Sequence, residues 1–321
     1  MSNIPEQNQL CTVIPEEMAG KRLDQVLAEL FSEHSRTRLQ EWIRNGQVRV
    51  NDRILRQRDK VAGGESVKII TTFTEHDSWK PEQISLQIIY EDNYVIILNK
   101  PPGLVVHPGA GNPEHTLLNA LLFHDPDLNI VPRAGIVQRL DKNTSGLMVI
   151  ARTPEVHTCL VAEMQERKIK REYQAIISGT IIAGGTIDKP VGRHPRHRTR
   201  MAVIETGKPA ITHYRIITKY RAYTHIKVQL ETGRTHQIRV HMAWLGHPIV
   251  GDPVYSGRSK IPKGINNELT SIIKSFPRQA LHASALEFRH PDSGKTVNFE
   301  AALPEDMENL IKALKKNANE Y

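Results

Sequence analysis

The stretch Gly135-Ile136-Val137-Gln138-Arg139-Leu140-Asp141-Lys142-Asn143-Thr144-Ser145-Gly146-Leu147-Met148-Val149-Ile150 places one acid among cations, between two apolar flanks. Flanks of this kind read as buried strands, which puts Asp141 on the loop joining them. Arg139 lies two residues before the acid and Lys142 directly after it, and such neighbours favour the carboxylate form. Two readings stand open at this point. An aspartate can cap a turn or pair with an arginine, or it can be a reactive carboxylate in a basic site. For an aspartate taken alone the first is the stronger.

Two other segments have the same mixed character. Lys168-Ile169-Lys170-Arg171-Glu172-Tyr173 enters a strand with a tyrosine at its start. Leu230-Glu231-Thr232-Gly233-Arg234-Thr235-His236-Gln237-Ile238-Arg239 ends a strand and opens a helix, with Thr235 as the expected cap. Singly, Tyr173 reads as a packed strand aromatic and Arg234 or Arg239 as a surface ion pair. Around these segments, alternation predicts a hairpin from 88–90 and 95–98, stopped by Lys100-Pro101-Pro102-Gly103, and strands at 173–177, 212–217, 224–230 and 296–300. Helical spacing predicts helices near 115–123, 154–167, 236–245 and 304–317. Mixed strands without regular βαβ alternation predict an α+β domain with a largely antiparallel sheet over residues 87–321.

Residues 1–75 form a different, smaller module. Leu23, Val26, Leu27, Leu30 and Phe31 make one helical stripe. A second helix runs from about Ser35, with Leu39, Trp42 and Ile43 on one face, to a stop at Asn45-Gly46. A short hairpin is expected from Val48–Val50 through Asn51-Asp52 to Ile54-Leu55, and a further strand from Ser66 to Ile70. Residues 76–86, with little periodicity, read as a linker.

The 321 residues carry a formal charge of +8. Between Arg36 and Lys60 there are eight basic residues against three acids, so most of the excess sits in one module. Arginines such as Arg36, Arg38 and Arg49, flanking a helix end and a strand, have a shape able to follow a phosphate backbone. At 39% hydrophobic and 24% charged residues the chain is neither disordered nor fibrous. No apolar run reaches about 18 residues, and no basic start leads into an apolar stretch, so a cytoplasmic protein without a membrane segment is expected. Cys11 and Cys159 are too few for a disulfide framework. No GxGxxG follows a strand, Arg289 stands where a phosphate loop ending in Gly294-Lys295-Thr296 needs glycine, and Ser145 lies in no GxSxG elbow. No HExxH or close Cys/His set exists, so neither a metal nor a cofactor is expected.

Taken together, the segments around Asp141, Tyr173 and Arg239 resemble the three motifs of the RluA family of RNA pseudouridine synthases. KPPGLVVHPGAGN (100–112) and GRHPRHRTRMAV (192–203) add to the match. RLDQVLAEL (22–30), SRTRLQEWIRNGQVRVNDRIL (35–55) and VAGGESVKI (61–69) resemble an S4-type RNA-binding domain. The resemblance covers nearly the whole chain. It departs at Gln138, where the family usually has His, and at Asn143, where Asp is common.

The resemblance implies isomerisation of uridine to pseudouridine in RNA, with large-subunit (23S) ribosomal RNA or its precursor particle, entered at a stem-loop, as the expected substrate of a monomer. It implies Asp141 as nucleophile; attack at C1′, attack at C6 and deprotonation of the ribose all suit an aspartate in this role. It implies Arg239 as the cation paired with Asp141, and Tyr173 as the ring that stacks on the uracil and assists proton removal at C5. Arg139 would fill the space left by a flipped base, with Arg234, His236 and Gln237 as further substrate contacts. The segment 192–201, holding Arg193, Arg196, Arg198 and Arg200 but no acid, would grip an RNA stem. Two alternatives stand beside this one: another RNA target such as tRNA, and a non-catalytic RNA-binding assembly factor, which would have no reason to keep the full trio.

Overall fold

A computed structural model describes residues 7–31, 36–72, 79–109, 111–197, 199–257, 262 and 265–319. The chain divides into two units, residues 1–79 and 80–321. The first contains β1 (Gln7–Val13), α1 (Leu23–Leu30), α2 (Arg36–Arg44), β2 (Val48–Val50) and β3 (Ser66–Thr72). Its three strands pair antiparallel in the order β1-β3-β2. The two helical stripes meet the inward face of this sheet, so that Leu23, Val26, Leu27, Leu39, Trp42 and Ile43 pack with Val48, Val50, Val67 and Ile69 in one core. Each such side chain contributes about 1.5–3 kcal/mol relative to exposure.

Two details of this unit differ from expectation. Val48–Val50 does not pair with Ile54-Leu55 but with β3, Val48 opposite Ile69 and Val50 opposite Val67. Asn51 and Asp52 both adopt positive φ, and the return leg makes a single bridge, Val50 to Arg53, before leaving the sheet. The edge strand β1 carries the polar sequence QNQLCTV; its ladder to β3 holds it, and Leu10 packs against the core.

Of the stretch 76–86 expected as a linker, residues 76–78 lie outside the described residues. Residues 80–86 are anchored within the second unit. Asn119 Nδ2 donates to the Lys80 carbonyl (2.8 Å), the Glu82 amide donates to the Asn119 carbonyl (3.0 Å), and the His115 amide donates to Glu82 Oε1 (2.8 Å).

The second unit contains β4 (Ile88–Glu91), β5 (Val95–Lys100), α3 (Leu117–His124), β6 (Ser145–Ala151), α4 (Pro154–Gln165), β7 (Lys170–Ser178), β8 (Gly185–Asp188), β9 (Val191–Arg193), β10 (Met201–Val203), β11 (Ile211–Lys219) and β12 (Tyr223–Leu230). It continues with α5 (Gln237–Trp244), α6 (Asn267–Ser275), β13 (Leu281–Arg289), β14 (Thr296–Glu300) and α7 (Glu305–Asn319). Eight strands run in the order β4-β5-β6-β13-β7-β12-β11-β8, and β14 pairs with β13. Every pairing is antiparallel except β6 with β13, so the chain is α+β with a mixed, mainly antiparallel sheet.

The parallel contact brings the strand after Asp141 beside the sheet centre. It spans two residue pairs, His282 with Ser145 and Ala283 with Gly146. Gly146 has φ 121°, and a Cβ there would run into the Ala283 backbone. Gly146→Ala is therefore expected to destabilise the second unit by about 3 kcal/mol or more, adding backbone strain to overpacking. Urea denaturation followed by circular dichroism checks this; a midpoint equal to wild type would mean the strands can part without cost. The central strand β13 and helix α6 have no counterpart among the elements expected from the sequence. β13, LHASALEFR, is almost wholly buried but breaks its apolar pattern with His282 and Ser284, and His282 Nδ1 lies 2.9 Å from Ser145 Oγ.

Candidate active site

Asp141 sits on the loop before β6, and much of that loop is held by its backbone. The buried Lys100, at the end of β5, donates its ammonium to the carbonyls of Pro101 (2.7 Å), Leu104 (2.9 Å) and Lys142 (3.1 Å). Burial pulls the Lys100 pKa down to about 7; the Asp141 charge opposes this and Arg278 reinforces it. Arg278 Nη1 donates to the Asn143 carbonyl (3.3 Å), and its other guanidinium nitrogens grip Asp306 of α7 (2.7 and 2.8 Å). Gln279 Nε2 donates to Thr144 Oγ1 (3.0 Å), while the Thr144 amide donates to the Asp141 carbonyl (3.0 Å). These supports leave the carboxylate itself 15% exposed, at the wall of a cleft.

Arg239, in the first turn of α5, meets that carboxylate. Its Nη1 donates to Asp141 Oδ2 at 2.9 Å. The rest of the fork is spent on the fully buried Asp252, Nε to Oδ2 (2.6 Å) and Nη2 to Oδ1 (3.0 Å). Asp252 also accepts from the amides of Val254 and Tyr255, so its position is fixed independently. Burial works against the Arg239 charge, but the bonds and charge of Asp252, with Asp141, outweigh it and raise the guanidinium pKa. The result is a permanent cation, aimed by one carboxylate at another.

Tyr173 lies in β7 with its ring packed in the core and at the cleft wall. Burial raises its phenol pKa; Arg171 opposes the shift and the Asp141 charge adds to it, so the hydroxyl keeps its proton at neutral pH. The cleft, of about 590 Å³, is lined by Asp141, Tyr173 and Arg239 together with Arg139, Arg234 and His236. Three segments far apart in sequence are thus brought to one place. The exposed Arg139 stands between this cleft and an adjoining recess of about 470 Å³ lined by His107, Pro108, Pro253 and Val254.

Other candidates fall differently. Thr235 is not the cap of α5: His236 occupies that position with φ 58°, and no side chain caps the helix. Gln237, although at the cleft, has its amide engaged within the protein. Its Oε1 accepts from Thr232 Oγ1 and the Arg234 amide, and its Nε2 donates to the Ile211 carbonyl and Thr212 Oγ1, so it braces the loop. Arg234 is exposed and donates Nε to the Pro209 carbonyl (3.1 Å). Gln138 borders the cleft with a buried Nε2 that has no hydrogen-bond partner.

Within the segment 192–201, β9 and β10 pair antiparallel, Arg193 opposite Met201, and form a ribbon of their own. Arg193, Arg196 and Arg200 are exposed on it, and Arg198 lies outside the described residues. Arg49 is exposed on β2; Arg36 and Arg38 lie on α2 with side chains outside the described residues. Among the described residues no group of three or more His, Cys, Asp or Glu could hold a metal ion, and no helix is long and apolar enough to cross a membrane. Sequence reading missed Asp252, Tyr255 and Arg278. Asp252 follows Gly251 with no periodic or motif signal, and only the fold brings it to Arg239.

The chain belongs to the family of RNA pseudouridylate synthases: the model of that family matches residues 94–244, and that of the S4 domain residues 21–67. It is an RNA pseudouridine synthase with an N-terminal S4 RNA-binding domain. It is 50% identical over 98% of both chains to the ribosomal large subunit pseudouridine synthase D of Vibrio parahaemolyticus serotype O3:K6. It is 51% identical to the protein of that name from Escherichia coli strain K12, over 98% of this chain and 96% of the relative. The fold is shared with human RNA pseudouridylate synthase domain containing 4, at 22% identity and a TM-score of 0.56, covering 71% of this chain and 93% of that one.

Proposed function

We propose that the chain isomerises uridine to pseudouridine in large-subunit (23S) ribosomal RNA, at a stem-loop, acting as a cytoplasmic monomer with Asp141 as its nucleophile. The observation that carries this reading is the Asp141 carboxylate at the cleft wall, bonded to an arginine whose remaining donors are locked on a second buried acid. The relatives named for the large ribosomal subunit, half identical over nearly the whole chain, support the choice of RNA.

The chemistry asks for positioning more than activation. An aspartate in the chain's nucleophile position acts as its anion. Arg239 keeps that anion aimed and partly dry, in a site where electrostatic interactions are less screened than in water. The neutral Tyr173 offers a flat apolar face to the uracil. Extruding the base costs a few kcal/mol. Arg139, exposed at the cleft rim, fills the vacated space, and the cations of the β9–β10 ribbon hold the flanking phosphates.

Tritium release from 5-tritiated 23S transcript, with tRNA transcript as competitor substrate, tests the target. Stoichiometric release from the 23S RNA alone is expected; release from tRNA alone would transfer the activity to that substrate. Deleting residues 1–79 is expected to weaken RNA binding and flatten its log–log salt dependence by about 2, while leaving the single-turnover rate at saturating RNA within a few-fold. An unchanged salt slope would remove the basic module from the RNA contact.

A further inference from the structure

We propose that Tyr255 is a positioning residue for the isomerisation: its hydroxyl joins the β9–β10 ribbon to His236 and holds that imidazole neutral, with Nε2–H turned toward Asp141. The inference rests on the reading of Asp141 as nucleophile and of the ribbon as an RNA contact.

Tyr255 touches four parts of the site. Its oxygen accepts from the Met201 amide of β10 (2.9 Å), and the same oxygen lies 2.7 Å from His236 Nδ1. Its ring lies under the Arg239 guanidinium, 5.1 Å from Cζ to centroid, and its own amide donates to Asp252 Oδ1 (3.1 Å). Since the Met201 amide occupies an acceptor site of the phenol oxygen, the hydroxyl hydrogen is directed to Nδ1. A ring nitrogen that accepts there carries its hydrogen on the other side, at Nε2. Nε2 faces Asp141 Oδ1 at 3.9 Å.

The groups around His236 agree with a neutral ring. Asp141 faces it from the loop before β6, Arg239 from the helix that His236 begins, Asp252 and Tyr255 from the segment after Gly251, and Arg139 from the cleft rim. Burial, together with Arg239 and Arg139, lowers its pKa against the pull of Asp141 and Asp252. The backbone also has a cost to account for. His236 sits at φ 58° and ψ 19°, a conformation unfavourable for a residue with a Cβ, and its side chain does not cap the helix it begins. That imidazole is instead placed between the phenol and the carboxylate. The ribbon is anchored at the same point, where Met201, Val203 and Tyr255 pack with Val191, Ala210 and Val240 of α5. RNA held by Arg193, Arg196 and Arg200 therefore bears on the strand whose amide fixes the Tyr255 hydroxyl.

Tyr255→Phe in the full chain tests this, through single-turnover rates on 23S transcript between about pH 5.5 and 8.5, a range that brackets the ordinary histidine pKa. The wild-type profile is expected to be flat above about pH 6.5, the ordinary histidine value. In the variant, Nδ1 loses its donor and can take a proton, and the imidazolium pairs with Asp141. The rate is expected to fall about tenfold at pH 7.5, as one hydrogen bond does, and to gain a new limb rising through the histidine range. A variant profile parallel to wild type, at whatever level, overturns the proposal, because general loosening moves the rate and not its pH dependence. Nitrogen-15 NMR of the wild-type histidines, assigned against His236→Gln, gives an answer independent of the variant's folding. A neutral Nε2–H ring at pH 7 is expected; an Nδ1–H ring or an imidazolium overturns it. Activity in Asp141→Asn would defeat the nucleophile reading and leave the NMR result standing, so the two failures are distinguishable.

Discussion

Asp141→Asn is expected to abolish isomerisation, lowering the single-turnover tritium-release rate by at least about 10⁴-fold, the scale of removing a nucleophile. RNA affinity should stay within a few-fold of wild type. The substitution keeps the shape of the side chain and removes its charge, and an amide is no nucleophile toward a sugar or a pyrimidine. The surroundings should survive. Arg239 keeps both bonds to Asp252, and the loop is held through backbone atoms by Lys100, Arg278 and the Thr144 amide. Stable folding with lost turnover is therefore the expected pair of results. Turnover near wild type would remove Asp141 from the chemistry.

Arg239→Met should cost both fold and activity, and for separable reasons. Asp252 is fully buried and receives two of the three Arg239 bonds to carboxylates. Removing the guanidinium leaves that carboxylate uncompensated, which costs about 3–5 kcal/mol. For a unit of this size each kcal/mol lowers the melting temperature by about 2–4 °C. Adding Asp252→Asn removes the orphaned charge, so the double variant should regain most of the lost stability. It should not regain activity, since nothing then aims at Asp141. A double variant as active as wild type would show that Arg239 serves only to neutralise Asp252. Differential scanning calorimetry and tritium release on the same preparations decide this.

The elements most legible in the sequence are those with one wet face. The stripe at Leu23, Val26 and Leu27 and the alternation through β11 and the second half of β12 are read directly, because burial on one side imposes a period. β13 has no such signal. It crosses the sheet centre buried along most of its length, and its Ala283, beside Gly146, suits a close backbone approach rather than a hydrophobic pattern. β1 is missed for the opposite reason, its mostly polar sequence showing no apolar period. Val48–Val50 was legible as a strand but not its partner, because two residues of positive φ turn the chain out of the sheet.

The candidate site divides along similar lines. Asp141, Tyr173 and Arg239 lie inside short mixed segments and could be singled out before the structure brought them to one cleft. Asp252 and Tyr255 could not. Their significance is a distance, 2.6 Å to Arg239 and 2.7 Å to His236, between residues whose own neighbours say nothing. Thr235 shows the reverse error: a residue of the right type for a cap, displaced by one position because the backbone takes a left-handed step at His236.

The central claim is that this chain makes pseudouridine in large-subunit ribosomal RNA through Asp141. Mapping pseudouridines across the ribosomal RNA of cells that lack the chain, complemented with either wild type or Asp141→Asn, tests it most directly. Specific positions in 23S RNA should revert to uridine in the deletion, return with wild type and stay absent with the variant. An unchanged map in the deletion, or full restoration by Asp141→Asn, would contradict it.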